Sequence, residues 1–350
     1  MGRGVFMSLR EQSAGHQPID VVYLWVDGSD PRWQAKRRRA FDGWRLKHPT
    51  ELAAYGNVAG RFRDNGELRF NLRALERFFP EHGHVYVVTD AQVPDWLDAR
   101  SGVTVIDHRD LIPSAALPIF NSGHIESYIH HIPGLSERYF YLNDDTFFGA
   151  PVDAQMWFGE QLALAMEATS IEPSMHLQPG STSLVNASIR SAQWLSQVYP
   201  GYVHDWRLLS HAPRAFLRSA LYELERLAPS LFHDVRSTQF RSWRVPPIVS
   251  DLAVRWMVAT GIARSITLDP LHLCTADVHA EYRFAELRSR FGQLPFFCIN
   301  DTCDDAPSGD PRLQRVSRVL RELLPVSSCF ERSSETALRD PAPMRAAMAA

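Results

Sequence analysis

Three apolar runs in the first half of the chain each end in an acidic turn, and this limits the fold more than any other feature. IDVVYLWVDGSDP (19–31) passes from continuous apolar residues into a cluster of turn formers at Asp27-Gly28. HVYVVTD (84–90) stops at Asp90, and YFYLNDDTFFGAPV (139–152) runs from aromatic residues directly into Asn143, Asp144 and Asp145. Helical patterns separate these runs. PRWQAKRRRAFDGWRLKHP has basic and aromatic faces, and NGELRFNLRALERFFPEHG (65–83) places Leu68, Leu72, Leu75 and Phe79 at helical spacing before Pro80 and Gly83 end it. VTVIDH (103–108) reads as a further short strand, and IESYIHHIPGLSER as a helix broken at Pro133. Strands alternating with helices predict βαβ units, hence an α/β fold with a mostly parallel sheet. Ligands of such sheets bind beyond the carboxyl ends of the strands, so acids delivered to three of those ends predict one functional edge.

The remainder is less regular. Residues 160–200 read as strands and turns, and 202–262 as an Arg/His-rich helical subdomain inserted into the sheet. LPFFCIND (294–301) is a last strand that again ends in an acid. The expected organisation is a loose arm over 1–17, a single α/β domain over 18–325, and a disordered Ser/Ala/Arg/Pro-rich tail over 326–350.

Composition removes several classes of function. With 45% hydrophobic residues the chain can bury a sizeable core, and a net charge of -3 supplies no basic field for nucleic acid. No apolar run approaches the roughly 20 residues of a membrane span, and the first residues lack a signal-peptide pattern. These features suggest a cytoplasmic location, with peripheral attachment at the inner membrane face as a variant. Four cysteines are too few for a disulfide framework, and Cys274, Cys298 and Cys303 lack zinc spacing.

Two adjacent carboxylates at the end of a buried strand repel each other and are costly to desolvate. Either the turn stays wet, or a divalent cation with hard oxygen ligands compensates Asp144 and Asp145. Arg63 precedes a predicted helix, where its electropositive amino terminus favours phosphate. Gly28 permits close backbone approach to a nucleotide, and Asp27 could bind ribose hydroxyls. Arg69 and Arg73, with Glu76 nearby, read as a solvated helix face, as do Lys36 to Arg39. His124, Glu126, His130 and His131 do not form a zinc motif, and Glu126 is read as a structural or substrate-contact residue.

Four separated blocks resemble the Stealth family of sugar-phosphate transferases: IDVVYLWVDGSDPRW (19–33), residues 61–97, LPIFNSGHIESYIHHIPGLSERYFYLNDDTFFGAPV (117–152) and FFCIND (296–301). A weaker block pairs HAPRAF (211–216) with RSTQFRS (236–242). The resemblance implies a Rossmann-like fold and transfer of hexose-1-phosphate from a nucleotide sugar to a sugar hydroxyl. It also implies Mg2+ or Mn2+ held by Asp145 and Asn300; the sequence continues Thr-Cys-Asp-Asp, so Asp304 or Asp305 is a further candidate ligand. Asp27, Gly28, Arg63, Asp90 and Asp144 would hold a UDP- or GDP-linked donor. His211 would be the general base towards a glycan acceptor, and Arg241 would stabilise phosphate charge. A glycosyltransferase releasing nucleoside diphosphate, or a binding module without catalysis, remains compatible with the same motifs.

Overall fold

The computed structural model describes residues 18–307 and 309–332. The predicted arm over 1–17 and the tail from 333 onwards lie outside the described residues. The principal sheet has the order β3-β2-β1-β4-β8. It is built from β1 (Ile19–Leu24), β2 (Val85–Thr89), β3 (Val103–Asp107), β4 (Arg138–Asn143) and β8 (Arg214–Leu217). The first four are mutually parallel, and β8 pairs antiparallel with β4. Burial on both faces explains why β1 and β4 read as unbroken apolar runs. The one acid inside β1, Asp20, is buried and accepts from the backbone N–H groups of His84 and Ser136 at 2.8 and 2.7 Å.

Strand order reverses between β1 and β4, so a crevice opens at their carboxyl ends. Two smaller sheets flank it. β5 (Thr146–Phe148), β10 (Leu271–Cys274) and β11 (Phe296–Asn300) form one; β6 (Leu162–Ser170), β7 (Arg207–Leu209) and β9 (Ala263–Thr267) form the other. The helices α1 (Pro31–Lys47) and α2 (Glu67–Phe78) frame the edge. α2 buries Leu68, Leu72 and Leu75, as the spacing predicts, and Phe79, the fourth residue of that pattern, is buried just past its end as the C-cap.

The structure corrects five expectations. The run 139–148 is two strands, because the chain leaves the parallel sheet at Asn143 and resumes as β5 beside β11. Residues 160–200 include a 16-residue helix, Ser183–Val198, whose first turn is capped by the Thr182 hydroxyl. Residues 202–262 are not wholly helical: they contribute β7 and β8, and the buried Arg214-Ala215-Phe216 run places β8 inside the principal sheet. The first part of the supposed tail is docked. Phe330 enters the core, and Glu331 is buried against Arg69 and Arg73 of α2. Arg73 is therefore not a solvated position; it is 8% exposed. Among the described residues, no helix is long and apolar enough to cross a membrane.

Candidate active site

A cavity of about 380 Å³ opens at the carboxyl ends of β1, β2, β4 and β11. Its floor is the Asn143-Asp144-Asp145 turn. The β5–β11 pairing sets Thr146 opposite Cys298, and the Ile299 N–H donates to the Asp145 carbonyl at 3.0 Å. Continuing that register places Asp144 and Asp145 beside Ile299 and Asn300. Burial raises both carboxyls above the usual range; for Asp144 the charges of Asp145, Glu67 and Asp64 add to it. Glu67, fully enclosed under the same floor, is pushed up to about 8 by burial and by Asp64.

The opposite wall is cationic. His211 lies in the connection between β7 and β8, its ring stacked on His272 of β10 with centroids 4.3 Å apart. Burial, then His272, Arg214, Arg61 and Arg241, push it down to about 3, so its imidazole is neutral at physiological pH. Arg241 donates to the Ser122 hydroxyl at 2.6 Å. Arg214, opposite Tyr141 in the β4–β8 ladder, stands over that ring and has a buried Nε without a partner. Arg61 comes from the turn Ala59–Phe62 and is exposed within the cavity. Burial and then the Arg241 charge press on the Arg61 guanidinium, offset in part by Asp145 and Glu126; because guanidinium groups stay protonated, the site favours a further anion. The amino end of the helix Ser183–Val198 reaches the same cavity and favours the same sign.

Most predicted site residues therefore meet. Asp90, Asp144, Asp145, Asn300, His211, Arg241 and Arg63 all line the cavity. Two of these are already engaged: Asp90 pairs with Lys36, and Arg63 donates to Asp301 at 2.5 Å and to the Cys303 carbonyl at 3.2 Å. Asp27 and Gly28 are not among the lining residues. The Asp27 carboxylate accepts from the Ser29 N–H and hydroxyl at 2.8 and 2.6 Å, which makes it a turn cap. Gly28 is required by packing, because a Cβ there would lie 1.9 Å from the Phe62 carbonyl oxygen. Glu126, buried, accepts from Tyr141 at 3.0 Å and from Ser250.

Arg214 and His272 were missed. Arg214 sits three residues after His211, and His272 is the outward residue between two buried leucines in LHLC; both signals are legible only once the strands are known. Arg61 was visible beside Arg63, but nothing in the sequence says which of the two is free. The cluster His130, His131 and Glu225 could place three ligand atoms together, yet none of these residues lines the cavity and Glu225 is already paired with Arg236.

Fold and site together define an α/β protein with a cavity at the switch point of its parallel sheet, lined by paired carboxylates and by arginines. The chain belongs to the Stealth family: residues 17–40 match Stealth protein CR1, conserved region 1, and residues 61–165 match Stealth protein CR2, conserved region 2. An exopolysaccharide phosphotransferase of Streptomyces coelicolor is 39% identical over 325 residues, covering 91% of this chain and 53% of that protein. A capsular polysaccharide phosphotransferase of Actinobacillus pleuropneumoniae is 34% identical over 209 residues, covering 59% of this chain and 56% of that one. The chain thus spans about half the length of these curated relatives. The crystal structure of a galactosyltransferase in complex with donor and acceptor sugar analogs aligns with a TM-score of 0.38 and 9% identity, over 87% of this chain and 96% of that chain; a likeness at that level has no bearing on function.

Proposed function

We propose that this chain transfers hexose-1-phosphate from a nucleotide sugar to a sugar hydroxyl, forming a phosphodiester in an extracellular or capsular polysaccharide. The observation that carries this reading is the meeting of two adjacent carboxylates with His211, Arg61, Arg214 and Arg241 in one cavity. The chain's relatives, named as exopolysaccharide and capsular polysaccharide phosphotransferases, support it. Asp144, Asp145 and Asn300 are hard oxygen donors, and the burial that raises the two acids, with the added repulsion at Asp144, is what a divalent cation offsets, so the set fits Mg2+ or Mn2+. Bound there, the cation would neutralise pyrophosphate charge.

Arg61 and Arg214 take the phosphate-binding role expected of Arg63, since both line the cavity and, unlike Arg63, are in no salt bridge among the described residues. Arg241 holds phosphate charge as it develops in the transition state. His211, neutral and cornered by cations, accepts the proton of the attacking hydroxyl; the arriving phosphates offset those cations and raise its basicity. Positioning and electrostatics then do most of the work, as phosphoryl transfer requires. The base, the hexose and the acceptor glycan are to be found by screening nucleotide sugars for Mn2+-dependent thermal stabilisation. Incubation of a stabilising donor with acceptor oligosaccharides tests the reaction: a nucleoside monophosphate must appear with the product. Release of nucleoside diphosphate would make the chain a glycosyltransferase.

A further inference from the structure

The break between β4 and β5 raises a local problem of hydrogen bonding. At residues 144–146 the backbone belongs to neither sheet completely. The Asp145 carbonyl is taken by the Ile299 N–H at 3.0 Å. The Asp144 and Thr146 carbonyls have no strand partner for that purpose. Both are satisfied by one side chain. Asn71, in the middle of α2 and fully buried, donates its Nδ2 to the Asp144 carbonyl at 2.9 Å and to the Thr146 carbonyl at 2.6 Å. Its Oδ1 accepts from the Tyr23 hydroxyl of β1 at 3.0 Å. The amide orientation is fixed by chemistry, because two carbonyl oxygens require the NH2 group and only the Tyr23 side can supply a donor.

We propose that Asn71 is a positioning residue for the Asp144-Asp145 pair. It straddles Asp145, bonding the carbonyls of residues 144 and 146, so the peptide plane between the two acids and the one after Thr146 are set from α2, while the plane between them is held by the Ile299 N–H. Without it the plane between Asp144 and Asp145 loses its anchor, and two crowded carboxylates would use that freedom to separate. The inference rests on the divalent-cation reading of the carboxylates given above. Groups beyond the ligands that orient them typically change metal affinity by roughly 10–100-fold when removed.

The test is Mn2+ affinity, measured by calorimetry on the full chain well below the melting temperature, for wild type, Asn71→Ala, Asn71→Ser and Tyr23→Phe. Asn71→Ala should weaken Mn2+ binding by roughly 10–100-fold. Asn71→Ser, with a shorter donor that reaches one carbonyl at most, should fall between, and it decides the matter if the alanine variant does not fold. Tyr23→Phe lowers stability but leaves both amide-to-carbonyl bonds in place, so its Mn2+ affinity should match wild type. A folded Asn71 variant with wild-type affinity overturns the inference, as does a Tyr23→Phe variant weakened as much as Asn71→Ala. A wild-type chain that binds no Mn2+ removes the cation reading itself, and this inference with it.

Discussion

Glu331→Ala should cost this protein a large part of its stability, although residue 331 does not line the cavity and stands near the end of the described chain. The carboxylate accepts from Arg73 Nε at 2.6 Å and Nη2 at 2.8 Å, from Arg69 Nε at 2.6 Å and from the Ser328 N–H at 3.0 Å. Glu331 and Arg73 are 7% and 8% exposed, so the substitution leaves a buried guanidinium unpaired. Removing one partner of such a pair costs roughly 3–5 kcal/mol. The exposed Arg69 adds little to that. Taking roughly 2.1 cal/mol/K of unfolding entropy per residue, the 350 residues give about 0.7 kcal/mol/K, so the melting temperature should fall by about 4–7 °C. Although burial opposes it, Arg73, the Ser328 N–H and Arg69 hold the Glu331 carboxyl down to about 2. A depressed carboxyl stabilises the fold above its unfolded pKa of about 4.3 and loses that contribution as pH falls towards its folded value. The gap between wild type and variant should therefore be full at neutral pH and close as pH drops from about 4.3 to about 2. Calorimetry or urea unfolding across that range checks it. A loss below about 1 kcal/mol at neutral pH would show that the ion pair does not hold the segment to α2.

The other predictions concern the cavity. Asp145→Ala should abolish turnover and Mn2+-dependent thermal stabilisation together, since it deletes a charge and a ligand; turnover unchanged by a chelator would contradict this. His211→Ala should lower the rate at saturating acceptor by about 100-fold or more while sparing donor affinity in calorimetry. Arg241→Ala should weaken donor binding as well, because phosphate is present in both states. Equal losses of affinity and rate in His211→Ala would make His211 a donor ligand. Gly28→Ala should lower the melting temperature whether or not donor is present, because the new Cβ meets backbone at 1.9 Å; a loss of donor affinity alone, with stability intact, would return Gly28 to the nucleotide site.

Legibility in the sequence followed the range of the forces involved. β1, β2 and α2 could be read because continuous burial and helical spacing are written in neighbouring residues, and turn formers mark their ends. The carboxyl-edge placement of Asp90, Asp144 and Asp145 followed from that pattern, and residues 211, 241 and 300 were added by family resemblance; all of them line the cavity. What was not legible depends on distant partners. Nothing within RYFYLNDDTFF says that its second half pairs with residues 296–298. Arg73 looks like any helix-surface arginine until Glu331, 258 residues away, is brought to it. Arg63 and Arg61 are equivalent on paper, and only the approach of Asp301 engages one and leaves the other free.

The central claim is that the bond broken lies between the two phosphates of the donor, with the sugar-linked phosphate retained in the product. The direct measurement uses a nucleotide sugar carrying radioactive phosphorus in the sugar-linked phosphate, incubated with the chain, Mn2+ and an acceptor oligosaccharide. The account predicts that the label moves to the glycan as an acid-labile phosphodiester and that the released nucleoside monophosphate is unlabelled. Label recovered in a nucleoside diphosphate, with none in the glycan, would contradict it.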